Sequence, residues 1–188
     1  ILALSLCHNV SPTYPNANDP TYKEFQASSP DEVALVKFGE SLKMELVERE
    51  EMYIRINNVN GESEEYDILA NFPFSSETKR MGIILRHRQT NKIIFYLKGA
   101  ETVMEKKVKP NQRASLAESC ENLAMDGLRT LVISQKLLSE KEFEEFDLRY
   151  KRARASLTRR EELTMDAIES IEGDMEYLGI TGVEDKLQ

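Results

Sequence analysis

Three short segments hold the residues best suited to chemistry. Phe72-Pro73-Phe74-Ser75-Ser76-Glu77-Thr78-Lys79-Arg80-Met81 sets an aromatic ring five residues ahead of a lysine, at the entry to a strand. Leu97-Lys98-Gly99-Ala100 closes a strand with a lysine followed by small residues. Asp126-Gly127-Leu128-Arg129-Thr130-Leu131 leads a turn into a strand with an arginine at its mouth. An aromatic face can stack on a flat base. Glycine lets a ligand approach the backbone, and lysine and arginine offset phosphate charge. These are the ingredients of a nucleotide pocket made without a phosphate loop. The same residues also suit an ordinary domain: Phe74 as a core aromatic, Lys79, Lys98 and Arg129 as solvated charges, and Glu32 as a helix-capping carboxylate.

Other chemistries lack their residues. There is no GxxxxGK[ST] loop, no strand-linked GxGxxG and no GxSxG elbow. With only His8 and His87 available, a Ser-His-Asp or Cys-His nucleophile has no suitable context. Two cysteines, Cys7 and Cys120, and no CxxC pair leave neither a disulfide scaffold nor a structural zinc site, and fit a reduced, cytosolic setting. The 188 residues fit one domain, and 40% hydrophobic content is enough for a core. A net charge of −8 argues against nucleic acid and against an anionic membrane surface as partners. No apolar run approaches the roughly 18 residues of a membrane span. The apolar start has no basic residues ahead of it and no initiating Met, so it reads as a segment of a longer chain.

The elements that would position these residues alternate in type. Residues 1–9 read as helical, and 10–27, with Pro12, Pro15 and Pro20, as a loop. Ser29-Pro30-Asp31-Glu32 has the form of a capping box, with Leu35, Phe38 and Leu42 as the buried face of the helix it opens. Strands are expected at 52–56, about 65–71, 81–86 and 92–97, joined by short connections and therefore antiparallel. Leu116, Cys120 and Leu123 mark a helix that stops near Asp126-Gly127, and Leu131-Val132-Ile133 a buried strand. Ser139 and Glu142 form a second capping box before a long helix with Phe143, Phe146, Tyr150, Ala153 and Leu157 inward and Lys151, Arg152, Arg154, Arg159 and Arg160 outward. A further helical piece ends at Gly173, and 177–185 reads as a strand entering a turn.

Taken together and in order, Ser28-Ser29-Pro30-Asp31-Glu32, Phe74 to Met81, Lys98-Gly99-Ala100-Glu101, Asp126 to Leu131 and Thr181-Gly182-Val183-Glu184-Asp185-Lys186-Leu187-Gln188 resemble the nucleotide-binding (N) domain of the P-type ATPases. The spellings Ser-Pro-Asp-Glu and Glu-Asp-Lys-Leu-Gln are closer to the phospholipid-flippase branch than to the cation pumps. The resemblance implies an α+β fold, with an antiparallel sheet of about six or seven strands flanked by helices. It implies one cytosolic nucleotide-binding domain over 1–188, with about 1–8 and 178–188 returning toward a phosphorylation domain.

The same resemblance assigns residues. Phe74 would lie on the adenine face and Glu32 at its edge, with Lys79 and Lys98 along the base and sugar. Arg129 would reach toward the phosphates, and Thr181, Gly182 and Asp185 would lie near the phosphates and hinge. Ser76 stands where the cation pumps usually carry Arg, a departure that agrees with the flippase branch. No metal ligand is expected in the chain itself. No Asp-Lys-Thr-Gly motif occurs, since Asp185-Lys186 continues with Leu187-Gln188, so the chain is expected to bind ATP without turnover. Mg2+ would act in the intact enzyme, the phosphorylation and actuator domains would be partners in the same chain, and phospholipid would be met only through a membrane domain. The home membrane would be Golgi/endosomal or plasma membrane. Two alternatives remain: an N domain from a cation-transporting P-type ATPase, and a protein-interaction module using the basic face after Ser139.

Overall fold

The computed structural model describes residues 1–16, 19 and 22–184. Its centre is a seven-stranded antiparallel sheet whose strands follow one another in chain order. Helix α1 (Leu2–Leu6) leads into β1 (Ser11–Thr13), which pairs with β2 (Glu24–Gln26) in a small separate ribbon. Helix α2 (Pro30–Ser41) then precedes the meander β3 (Glu45–Arg49), β4 (Tyr53–Asn57), β5 (Ser63–Phe72), β6 (Arg80–His87) and β7 (Ile93–Gly99). After β7 come the short α3 (Glu101–Met104), a 3-10 turn and α4 (Arg113–Met125). Strand β8 (Arg129–Leu138), helices α5 (Glu140–Ala155) and α6 (Arg160–Glu169) and strand β9 (Glu176–Val183) complete the chain. The α+β class and the antiparallel sheet expected from the sequence are what is found. Among the described residues no helix is long and apolar enough to cross a membrane.

Both faces of the central strands are covered, so β6 and β7 are nearly continuous apolar runs rather than alternating ones. The period of two still sorts their side chains. Met81, Ile83, Leu85 and Tyr96 join a cluster with Leu6, Val10, Val36, Leu46 and Ile56, under α1 and α2. Ile84, Ile93, Phe95 and Leu97 face the other way, onto Met104, Leu116, Phe146 and Ile168 from α3 to α6. Lys98 follows the parity of Tyr96, which turns its side chain toward α2. On the far face Phe72 meets Phe95, Phe146 and Tyr150 edge-on, with ring centroids 6.2, 6.0 and 5.6 Å away, and this anchors α5.

Several local expectations change. Residues 10–27 are not wholly irregular, because Ser11–Thr13 and Glu24–Gln26 pair even around Pro12; Pro20 lies outside the described residues. Strand β3 was not signalled, since Leu46-Val47 is too short a run and a bulge between Leu46 and Glu48 breaks its alternation. On α2 the buried residues are Leu35, Val36 and Gly39, while Phe38 and Leu42 are exposed, so the apolar face is rotated from the one expected. Leu157 is fully exposed beyond the end of α5 rather than part of its inner face. The second capping box is complete: Ser139 Oγ accepts from the Glu142 N–H and the Glu142 carboxylate accepts from the Ser139 N–H.

One close approach fixes the end of β7. A Cβ on Gly99 would stand 2.7 Å from the Lys79 carbonyl oxygen and 2.8 Å from the Arg80 Cβ. Gly99→Ala is therefore expected to push β6 and β7 apart and cost about 1–3 kcal/mol in urea unfolding. At Gly173, where a Cβ would meet nothing within 4 Å, the same change should stay within about 0.5 kcal/mol. Equal losses at the two positions would contradict the packing argument.

Candidate functional site

The site grows from the first turn of α2. Ser29 is extended at the cap and its Oγ accepts from the Glu32 N–H, while Pro30 takes the first helical position, where no donor is needed. The Glu32 carboxylate does not return to the cap. It reaches the sheet, where Oε1 accepts from Lys98 Nζ at 2.8 Å. Its Oε2 lies 3.4 Å from the Asn9 N–H. The two side chains of the ion pair are only 6% and 13% exposed, so the pair is largely withdrawn from water.

Asp31, one residue earlier, lies on the neighbouring side of the turn and accepts from Arg129 Nη2 at 2.9 Å. Here the arginine side chain is 53% exposed. The two pairs differ sharply in how readily they exchange. Removing one partner of a buried pair typically costs about 3–5 kcal/mol, whereas an exposed pair is worth about 0–1 kcal/mol.

The fourth side chain comes from the loop after β5. Pro73 cannot extend the ladder because it has no N–H. The loop is then drawn tight: the Ser75 hydroxyl accepts from the Thr78 N–H at 3.1 Å, and the Lys79 N–H donates to the Ser75 carbonyl at 2.8 Å. Phe74, 58% exposed, is left standing at the rim. Pro73, Phe74, Leu131 and Val183 give the cleft apolar wall, and Glu32, Lys98, Asp31 and Arg129 give it charge. The cleft, open to solvent, has a volume of about 510 Å³, within the size range of small-molecule sites.

Of the residues named from the sequence, Glu32, Phe74, Lys98 and Arg129 line this one cleft. Lys79 and Ser76 are exposed on the neighbouring loop and are not part of its lining, although the Lys79 carbonyl accepts from the Ala100 N–H at 3.0 Å and so ties the loop to the end of β7. Thr181 and Gly182 pair with Leu131 and Thr130 on the edge strand β9, just behind the wall. Asp185 lies outside the described residues. Asn9, Asp31, Thr130 and Val183 also line the cleft and had been given no role there. Asp31 was present in the motif but had no role, and nothing in the sequence around Asn9 marks it. On the basic outer face of α5, Lys151 is neutralised by Asp147 at 2.6 Å, while Arg154 lies over the Tyr150 ring and keeps its charge.

Behind the cleft the Asn9 side chain is locked. Its Oδ1 accepts from Arg49 Nη2 at 2.8 Å and from Asn71 Nδ2 at 3.0 Å. His8 is buried beside it, its Nε2 paired with the Ser5 carbonyl at 2.9 Å and its Nδ1 accepting from the Val10 N–H at 3.0 Å. Burial first, and the nearby Arg49 charge second, push His8 down to about 3. Burial likewise pushes the Cys7 thiol up to about 11, against the Lys98 charge, so it is not a ready nucleophile. Among the described residues no group of three His, Cys, Asp or Glu side chains is placed to hold a metal ion.

Comparison with known proteins gives the family. The profile of the P-type ATPase, cytoplasmic domain N, matches residues 1–188, and the chain belongs to that family. It is 43% identical over 204 residues to probable phospholipid-transporting ATPase IIB of Danio rerio. It is 45% identical over 190 residues to phospholipid-transporting ATPase NEO1 of Saccharomyces cerevisiae, and 47% over 190 to neo1 of Schizosaccharomyces pombe. Each match covers 100% of this chain but only 18%, 16% and 17% of those proteins, respectively.

Two outcomes test the site as a folded object. Lys98→Met leaves the Glu32 carboxylate in a mostly dry place and is expected to cost about 3–5 kcal/mol in urea unfolding, most of it recovered in Lys98→Met/Glu32→Leu. A single-variant loss below about 1 kcal/mol would show the pair to be solvated. His8 takes a proton in the unfolded chain at about 6.5 but in the folded chain only near 3. Its contribution is thus complete above about pH 6.5 and is lost as pH falls toward 3, by roughly 1.4 kcal/mol per unit. His8→Gln should flatten the fall in urea midpoint between pH 6.5 and 5; an unchanged slope would remove His8 from the account.

Proposed function

We propose that this chain is the ATP-holding domain of an ATP-driven phospholipid translocase, a P-type ATPase of the flippase branch. One observation carries the reading: an exposed aromatic ring, a buried Lys-Glu pair and an exposed arginine converge on one cleft of about 510 Å³. The Phe74 ring offers a face for adenine. Glu32, held by Lys98, presents a carboxylate at the base edge. Arg129, at the mouth, is the cation able to follow the phosphates. Adenosine triphosphate fits this set of groups, and Mg2+ would arrive with the triphosphate.

The sequence contains no Asp-Lys-Thr-Gly motif. The domain therefore acts by delivery. It holds the nucleotide so that the γ-phosphate meets an acceptor carboxylate on a phosphorylation domain of the same polypeptide, with an actuator domain as the further partner. Positioning and charge stabilisation carry such a step. The whole protein would be a membrane-embedded ATP hydrolase with this domain on the cytosolic side, at a Golgi/endosomal or plasma membrane, and phospholipid would be met only by its membrane part. Residues near 1–8 and 178–188 would connect to the phosphorylation domain. The names of the similar proteins favour phospholipid over cation as cargo.

Calorimetric titration with Mg-ATP tests the proposal. The chain should bind, and Phe74→Ala should weaken binding about five- to tenfold through the lost stacking, about 1 kcal/mol or slightly more. An unchanged affinity in the folded variant would refute the stacking, and no binding by the parent chain at millimolar ATP would refute the site.

A further inference from the structure

The first turn of α2 supplies a counterion to each cation that lines the cleft. Glu32 holds Lys98 in a dry pair, and Asp31 holds Arg129 in a wet one. The cleft is thus charge-balanced by its own walls, although a polyanion is the ligand proposed for it. A triphosphate cannot draw Lys98 away from its partner without leaving the Glu32 carboxylate buried and uncompensated. It can recruit Arg129, because the Arg129 and Asp31 side chains, 53% and 28% exposed, both keep contact with water when they part. Asp31 is therefore a group that a phosphate must displace, and it also places a negative charge beside the path the phosphates take.

We infer that Asp31 sets the affinity of the cleft for a nucleoside triphosphate by competing with the phosphates for Arg129. The inference rests on the nucleotide reading above and deepens it. A helix N-terminus already welcomes an acidic side chain, so Asp31 also supports α2; the same residue that steadies the helix restrains the ligand. The competition acts on the phosphate end alone. It should leave recognition of the base unchanged and distinguish nucleotides by their charge rather than by their purine. It further implies that ATP affinity rises whenever another cation draws Asp31 away from Arg129.

The test is a titration of the chain and of Asp31→Asn with Mg-ATP and with adenosine, with thermal unfolding as the check on folding and Asp31→Ala as a second variant. Competition predicts that Asp31→Asn binds Mg-ATP about two- to fivefold more tightly, the range expected for release of an exposed ion pair, with adenosine affinity unchanged. In an Arg129→Gln background the gain should vanish. An Asp31→Asn affinity for Mg-ATP equal to or weaker than the parent's would overturn the inference, as would a gain that persists without Arg129. Failure of the folded parent chain to bind Mg-ATP is a different result, since it removes the nucleotide reading and this inference with it.

Discussion

The buried pair between Lys98 and Glu32 is the contact on which the site depends. It joins the sheet to the first turn of the helix above it, beside the more exposed tie from Asp31 to Arg129. A buried ammonium and a buried carboxylate each demand a partner. The pair therefore fixes three things together: the rotation of α2 about its axis, the placement of its first turn over the end of β7, and the position of Asp31 one residue away. Asn9, locked by Arg49 and Asn71, closes the back of the same carboxylate. The site is thus a by-product of how one helix is pinned to one strand.

The rest of the fold protects that contact. The parity of β7 sends Tyr96 and Lys98 to one face and Phe95 and Leu97 to the other, so the strand serves the site and the distant core together. Gly99 lets β6 come close at this level. A second buried ion pair, from Arg80 Nε to Glu172 at 2.8 Å, ties the start of β6 to the segment after α6. The start of β6 and the end of β7, neighbours in the sheet, are thus held by charge as well as packing, while Phe74 and Pro73 stand exposed at the cleft rim.

The parts of this architecture legible in the sequence were those set by local chemistry. Ser139 and Glu142 announced a helix because capping is decided within four residues. The hairpin from β6 to β7 announced itself by two apolar runs with a short polar link. Strand β3 did not, because its identity comes from pairing with β4 and not from its own alternation. Phe38 shows the opposite failure: its spacing suits a buried face, but Leu35, Val36 and Gly39 are the buried residues of the helix, and Phe38 is left outside. Glu32 itself is the instructive case. Its position three residues after Ser29 spells a capping box, yet a carboxylate sixty-six residues away from its lysine in sequence is claimed by that lysine. Phe74, Lys98 and Arg129 were found through their segments, whereas Asn9 and Asp31 became visible only when the chain was folded, because each acts through a partner remote in sequence.

Amide chemical-shift mapping with Mg-ATP addresses the central claim most directly. If the cleft holds the nucleotide, perturbations should concentrate at Phe74, Lys98, Asp31, Glu32 and Arg129 and fade across α5 and α6 on the opposite face. Perturbations centred on α5 and α6, with the amides around Lys98 and Glu32 unmoved, would contradict it.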